Sequence, residues 1–383
     1  MNHHQILAAR EMGGAGLVAL SLAEHVKRGG QECAMWVAGD GPARAEARRR
    51  GLTVHTYDAS WALSRNVVAA AIQNWSVGRR LRRLGPGIVH VHSHTVYGAL
   101  RRGLALSGLA RVVHVHLEGD AEGLRWAFQR PPELIITCAR FLVDFVRAAV
   151  PVEQQAKQRI VAVPNAVDIE RFRPGDKNEA KARVGAPAAV PLALMLANLA
   201  PHKGQETAIH AVALLKERGV RVSCWMAGVE RDGLGAYTRR LQSLIEEVGV
   251  QDRVRLVGHR DDAPVLMQAA DFLLLPSTCE GLPLSILEAQ ASRVPVLAAP
   301  TAGVPEVIRD GETGFLIAAH DAVGYADRIE RLLANPDLLQ RVTDAAYVRI
   351  VREHNWQSYA DRVVELYEEL IASGRQAGRR RAM

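Results

Sequence analysis

Short apolar runs alternate with longer amphipathic stretches along almost the whole chain, the pattern that repeated βα units around a parallel sheet produce. In the first half, Ile6–Ala9, Ala34–Val37, Ile88–His92, Val112–Val115, Leu134–Thr137 and Ile160–Val163 predict strands, separated by helical segments such as Leu17–Arg28. In the second half, Leu192–Ala197, Arg221–Ala227, Val254–Val257, Phe272–Leu275, Val296–Ala298 and Gly314–Ile317 predict a second series, again with helices between them. Asn165–Pro191 is looser, rich in Pro, Gly and charge with a short Ala, Lys and Arg helix inside it, and reads as the connection. After Pro336 the pattern is helical, and Trp356–Ala372 carries apolar positions at helical spacing, as a packing helix does.

A chain of 383 residues exceeds what one core usually serves, so two domains are expected. The α/β reading divides them as residues 1–168, a Rossmann-like domain, and 169–355, a second one. A helix over 356–373 packs back on the first domain, and a basic tail over 374–383 has nothing apolar to bury and is expected to be disordered.

Composition narrows this picture a little. With 48% hydrophobic and 23% charged residues the chain is neither disordered nor fibrous. A formal charge of +7, from 48 Lys and Arg against 41 Asp and Glu, favours anionic partners: phosphates, nucleic acid or acidic lipid. The Arg clusters at Arg48–Arg50, Arg79–Arg83 and Arg379–Arg381 suit such contacts or a plain solvated surface. Cys33, Cys138, Cys224 and Cys279 lie far apart with no disulfide framework or zinc spacing, which fits a reducing cytosol. A glycine loop follows the first strand so early that no signal peptide is expected, and no apolar run is long enough to span a bilayer.

Three places carry candidate chemistry. Met12-Gly13-Gly14-Ala15-Gly16 lies between the first strand and a helix, where bare backbone can approach an anion at a helix N-terminus; a tight βα turn explains it equally well. Glu280-Gly281-Leu282-Pro283-Leu284-Ser285-Ile286-Leu287-Glu288 places two carboxylates around a loop and a helix start. With Pro283 in the first turn, the free N–H groups near Leu284 and Ser285 can bind a diphosphate, and Glu288, a turn deeper, can accept from the two hydroxyls of a ribose. Taken without context, such a Glu pair is ordinary surface charge. Lys203, in Pro201-His202-Lys203-Gly204, follows the first strand of the second domain, at the strand end where α/β folds bind ligands, and can neutralise a diphosphate.

Together these residues resemble the family 4 glycosyltransferases, whose GT-B fold sets two Rossmann-like domains with parallel sheets face to face around a donor-binding cleft. The E-x7-E stretch Glu280–Glu288 is the strongest element. Gly13-Gly14, Asn165-Ala166-Val167-Asp168 leading to Phe172 and Pro174, Lys203-Gly204, Gly303-Val304-Pro305-Glu306 and Asp310-Gly311-Glu312-Thr313-Gly314-Phe315 accompany it in order and spacing. The resemblance implies that Glu288 holds the ribose, Glu280 the donor sugar, and Leu284 and Ser285 with Lys203 the diphosphate. Gly13 and Gly14 approach from across the cleft, and His116 reaches the sugar near the reacting carbon. Of these, His116, Glu280 and Lys203 stand as the catalytic set.

Two positions depart from the family pattern. The family's arginine shortly before the lysine is Asn198 here, which donates hydrogen bonds without charge, so Lys203 and the helix dipole carry more of the load, or Arg260 substitutes. The usual glycine of Asn-Gly-Val-Asp is Ala166, a mild change in a connecting loop. Base recognition is expected near Gly258–Arg260.

The implied activity is a retaining, metal-independent glycosyltransferase moving a hexosyl or N-acetylhexosaminyl group from a UDP- or GDP-sugar to a hydroxyl acceptor, with no cofactor. Its setting would be cell-surface polysaccharide, lipopolysaccharide or glycolipid assembly. The partners are the nucleotide sugar and a sugar or lipid-linked acceptor, with no nucleic acid, in the cytoplasm or peripherally at the inner face of the plasma membrane. Ala59–Arg83, with Trp61, Trp75 and arginines, suits a lipid interface or a buried helix with a basic end. His90, His92 and His94 alternate at a strand end and are not expected to face one ion; no metal site is expected. A GT-B-like nucleotide-sugar epimerase and a non-catalytic nucleotide-sugar binding protein are the competing classes, separated from transfer by product analysis with and without acceptor.

Overall fold

The computed structural model describes residues 2–7, 13–58, 67–117, 121–230 and 234–382, with side chains described as far as residue 373. Met12 and Trp61, named above, lie outside the described residues. The chain forms two compact units: residues 1–165 with 357–383, and residues 166–356.

The first unit holds the strands β1 (Asn2–Ile6), β2 (Glu32–Ala38), β3 (Thr53–Tyr57), β4 (Gly87–Val91), β5 (Ala110–Val115), β6 (Leu134–Thr137) and β7 (Arg159–Ala162). They pair in parallel in the order β3-β2-β1-β4-β5-β6-β7. Helices such as Gly14–Arg28, which buries Val18, Leu22 and Val26 at helical spacing, cover the sheet, so strands like β6 can be apolar at every position. Two features differ from the sequence reading. β1 begins at Asn2, where its pairing with β2 and β4 starts, and it buries His3, His4 and Gln5, which a polar sequence does not announce. β3 was not expected: Thr-Val-His-Thr-Tyr is a half-buried edge strand without an apolar run.

The final helix runs Trp356–Ala382, and from Gln357 onward it belongs to the first unit. Tyr359, Val363, Leu366, Tyr367 and Leu370 form its buried stripe, and its outer face ties down through His25 to Asp361 at 3.1 Å and Arg159 to Glu369. The helical backbone continues past residue 373 into the segment expected to be disordered; Ala, Arg and Gln there have good intrinsic helix propensity.

The second unit holds β8 (Leu192–Leu196), β9 (Ser223–Ala227), β10 (Val254–Gly258), β11 (Phe272–Leu275), β12 (Val296–Ala298) and β13 (Phe315–Leu316), all parallel, in the order β10-β9-β8-β11-β12-β13. In both sheets the order reverses beside the first strand, the crevice where open α/β sheets bind ligands. The segment read as a connection is largely built into this unit: Val167 bridges Asn355, and the helix Lys177–Val184 is capped by Asp176, whose carboxylate accepts from the Glu179 N–H at 2.9 Å.

Candidate functional site

In the second unit the order reverses between β8 and β11, and the loops leaving those two strands carry Lys203 and Glu280. They meet there: Lys203 Nζ lies 2.7 Å from Glu280 Oε1, with side chains only 18% and 6% exposed. Gly204 makes the approach possible. Its φ of 74° is left-handed, and a Cβ there would run into the backbone carbonyl of Pro276 at the end of β11. The Thr278 N–H donates to the His202 carbonyl at 2.8 Å, so backbone also stitches the two loops.

The Glu280–Glu288 stretch turns into the helix Leu284–Ala291 with Pro283 as its N-cap. Pro283 offers no capping side chain and no acid occupies the first turn, so among the described residues the first N–H groups, including those of Leu284 and Ser285, stand ready for an anion. Beneath it, the other quoted motifs act as scaffold. The Gly303 N–H donates to the Gly281 carbonyl at 2.9 Å, and Gln290 Nε2 donates to the Thr313 carbonyl at 2.7 Å. Asp310 accepts from the Leu316 N–H at 2.8 Å, closing the Asp310–Phe315 turn.

Glu288 keeps part of its surface accessible, yet burial of the carboxylate pushes its pKa up to about 7, opposed by the Arg171 guanidinium nearby. Sequence reasoning missed Arg171; it sits in the Asn165–Pro174 stretch quoted for the resemblance, but nothing in one dimension places it beside Glu288. The carbonyl of Asn198 accepts from Gln205 Nε2 at 2.9 Å. Arg260 leaves the sheet at the outer strand β10 rather than at the β8–β11 crevice, and Asp262 holds it through two bonds of 2.8 and 2.5 Å. That pair offsets part of the charge Arg260 could offer as a replacement cation. Gly258 closes β10 with a φ of 70° and open space around it.

In the first unit, Gly13 is the extended N-cap of the helix Gly14–Arg28, again with no capping side chain and no acid in the first turn. His116 directly follows β5. Its Nε2 lies 3.2 Å from His92 Nδ1, and His92 Nε2 donates to Gln5 Oε1 at 2.7 Å. Because the Gln5 oxygen can only accept, His92 Nδ1 is bare and accepts from the Nε2–H of His116, leaving the lone pair of His116 on Nδ1. Burial pushes the His116 pKa down to about 3, so the ring is neutral at pH 7. The strand-end histidines part company in the structure. His94 opens the helix His94–Ser107, whereas His114 of β5 joins His90 and His92, and one nitrogen from each of these three buried rings lies within 4.8 Å of the others. Alternation along the sequence compares positions on one strand; pairing of β4 with β5 brings in His114 from the next.

Comparison with known proteins adds to this geometry. Residues 12–171 match the description "Glycosyltransferase Family 4", and residues 176–349 match "Glycosyl transferases group 1". The chain belongs to the family 4 glycosyltransferases. A D-inositol 3-phosphate glycosyltransferase of Streptomyces bingchenggensis is 34% identical over 230 residues, covering 58% of this chain and 50% of that protein. One from Acidothermus cellulolyticus is 29% identical over 344 residues, covering 88% and 72%. The chain thus spans about half the length of the first of these curated relatives.

Among solved structures, Anabaena Alr3699/HepE in complex with UDP-glucose superposes with a TM-score of 0.84 at 19% identity, covering 96% of this chain and 100% of that one. Sucrose-phosphate synthase from Thermosynechococcus elongatus gives 0.82 at 19% identity, covering 97% and 100%. The fold of this family 4 member is GT-B, with parallel sheets of seven and six strands. Among the described residues no helix is long and apolar enough to cross a membrane.

Proposed function

We propose that this family 4 member is a retaining, metal-independent glycosyltransferase using a UDP- or GDP-linked hexose or N-acetylhexosamine. The observation that carries the reading is the Lys203–Glu280 pair at the β8–β11 crevice, beside an uncapped helix start and a partly buried Glu288. In this assignment the N–H groups of Leu284 and Ser285 with Lys203 hold the diphosphate, Glu288 the ribose, and Glu280 the sugar hydroxyls. Gly13, Gly14 and His116 are the donor contacts assigned to the first unit, and the loop at Gly258 and Arg260 serves the base. The bond from the anomeric carbon to the phosphate oxygen breaks as the acceptor oxygen bonds the same face. The acceptor's proton passes to the departing phosphate, so no metal or cofactor is needed for the step. Asn198 contributes a neutral hydrogen bond where the family's arginine is missing.

For the acceptor, two readings have support. The relatives named for D-inositol 3-phosphate favour a small phosphorylated polyol. A lipid-linked acceptor in cell-surface polysaccharide, lipopolysaccharide or glycolipid assembly is favoured by the helix Val67–Arg83. That helix exposes Val68, Ile72 and Trp75 at helical spacing, with Arg79 over the Trp75 ring at 5.0 Å. An apolar stripe flanked by arginine suits peripheral contact with an anionic membrane face.

Calorimetric titration with UDP, GDP and ADP, without added metal, tests the donor site. A micromolar preference for one nucleotide, weakened at least about tenfold by Glu288→Ala through loss of the ribose hydrogen bonds, is the expected result. Binding of none of the three would remove the basis of the reading. Product analysis with the matching nucleotide sugar then separates transfer from epimerisation.

A further inference from the structure

The buried face of the first sheet carries a histidine cluster that the transfer chemistry does not use. His90 lies on β4, His92 one residue beyond it, and His114 on the neighbouring β5; their exposures are 0%, 4% and 0%. Since β4 and β5 pair with His90 opposite Val112, positions 90, 92 and 114 project from the same side of the sheet. Ring centroids stand 4.2 Å apart for His90 and His92, 5.5 Å for His90 and His114, and 5.6 Å for His92 and His114.

Polar bookkeeping makes the cluster unusual. Both nitrogens of His114 and Nε2 of His90 are buried with no hydrogen-bond partner among the described residues. Each such atom costs about 1–3 kcal/mol if left unsatisfied, and several in one place call for an ion or a water. The partners that do exist hold the outer nitrogens: Tyr367 O–H lies 2.6 Å from His90 Nδ1, and Gln5 Oε1 accepts from His92 Nε2 at 2.7 Å. Metal-binding histidines carry such an oxygen partner on the nitrogen that does not bind the ion, and His90 and His92 each have one.

We infer that His90 Nε2, His92 Nδ1 and one nitrogen of His114 form a binding site for a divalent transition metal of the zinc class. Three imidazoles with no carboxylate suit Zn2+, Cu2+ or Ni2+ and exclude Ca2+ and Mg2+, which require oxygen ligands. One nitrogen from each of the three rings lies within 4.8 Å of the others. Tetrahedral Zn–N bonds of about 2.1 Å require them about 3.4 Å apart, a closure within reach of the soft χ2 rotation of histidine. With Nε2 as ligand, His90 carries its proton on Nδ1 and donates it to the Tyr367 oxygen. At His92 the ion takes the lone pair that otherwise accepts from His116 Nε2–H at 3.2 Å, so metal occupancy and the setting of His116 are coupled. The ion is structural: it ties the ends of β4 and β5, and the site exists whether or not His116 contacts a donor.

The full chain, free of any polyhistidine tag and stripped with chelator, is titrated with Zn2+ by calorimetry and with Co2+ by visible absorption. Saturable one-to-one binding with the intense ligand-field bands of a tetrahedral Co2+ is expected. His114→Ala should weaken it at least about a hundredfold, and Tyr367→Phe, which preserves packing and removes only the outer-shell oxygen, about tenfold. His94→Ala, outside the cluster, should leave it unchanged. Absence of saturable binding by the wild-type chain, or equal affinity in wild type and a folded His114→Ala, would overturn the site and assign the free nitrogens to buried water.

Discussion

Glu288 shows how one side chain reports on its surroundings. Burial raises its pKa to about 7, so the folded state holds this proton more tightly than the unfolded chain, and the group's contribution to stability declines as pH rises from 4.5 to about 7. A ribose needs the ionised form as a double acceptor. Affinity for the preferred nucleotide should therefore rise severalfold between pH 6 and pH 8 in the wild type and stay flat in Glu288→Gln, as read by calorimetry. A rise of equal size in both proteins would place the titrating group elsewhere. The spacing of Glu280 and Glu288 was legible in the sequence, because a loop followed by a helix start fixes how far apart two residues can lie. The raised pKa and the Arg171 beside it were not, since both depend on what packs around the carboxylate.

At the scale of the element, the helix Lys177–Val184 is pinned by charge more than by apolar contact, with Ala180 and Lys181 as its buried residues. Asp271, at the entry of β11, receives Lys177 Nζ and Lys181 Nζ, each at 2.8 Å, and accepts from the Leu192 N–H at 2.8 Å. Against the desolvation that raises it, these partners hold the Asp271 pKa below the usual carboxylate value. Asp271→Ala leaves the 5%-exposed Lys181 ammonium without its counter-charge, a change that costs about 3–5 kcal/mol. Chemical denaturation should show that loss, and a change below about 1 kcal/mol would mean the pair behaves as a surface one. Lys177→Ala, at the more exposed end, should cost much less. The sequence displayed the helix fragment, but the partner lies ninety-four residues away in the chain and only the sheet brings it near.

Across the whole molecule, the two units are expected to respond to acid differently. The first buries His3, His4, His90, His92 and His114, whereas among the described residues the second buries one histidine, His354. Burial lowers the pKa of His4 to about 4 and drives those of His90, His92 and His114 well below 6.5. The unfolded chain thus binds more protons below pH 6.5. The stability these rings permit is fully present above that value and is lost at about 1.4 kcal/mol per pH unit per group as pH falls toward the folded values. Hydrogen exchange in the presence of chelator, corrected for intrinsic rates, should show β1, β4 and β5 losing protection between pH 6.5 and pH 4 well before β8, β9 and β11. Parallel loss in both sheets would count against this assignment.

The sequence by itself determined the two series of βα units, the strands with apolar runs, and the candidate residues from Lys203 to Glu288. These rest on local periodicity and on loop and helix geometry, which span few residues. Tertiary structure decided what depends on pairing between distant segments. It showed β1 as a buried polar strand, and β3 as an edge that only hydrogen bonding to β2 defines. It set Lys203 against Glu280 through a glycine that lets two loops touch, and fastened Arg260 to Asp262. It also brought His114 beside His90 and His92, because neighbours across a parallel sheet are chosen by register, which no single strand encodes.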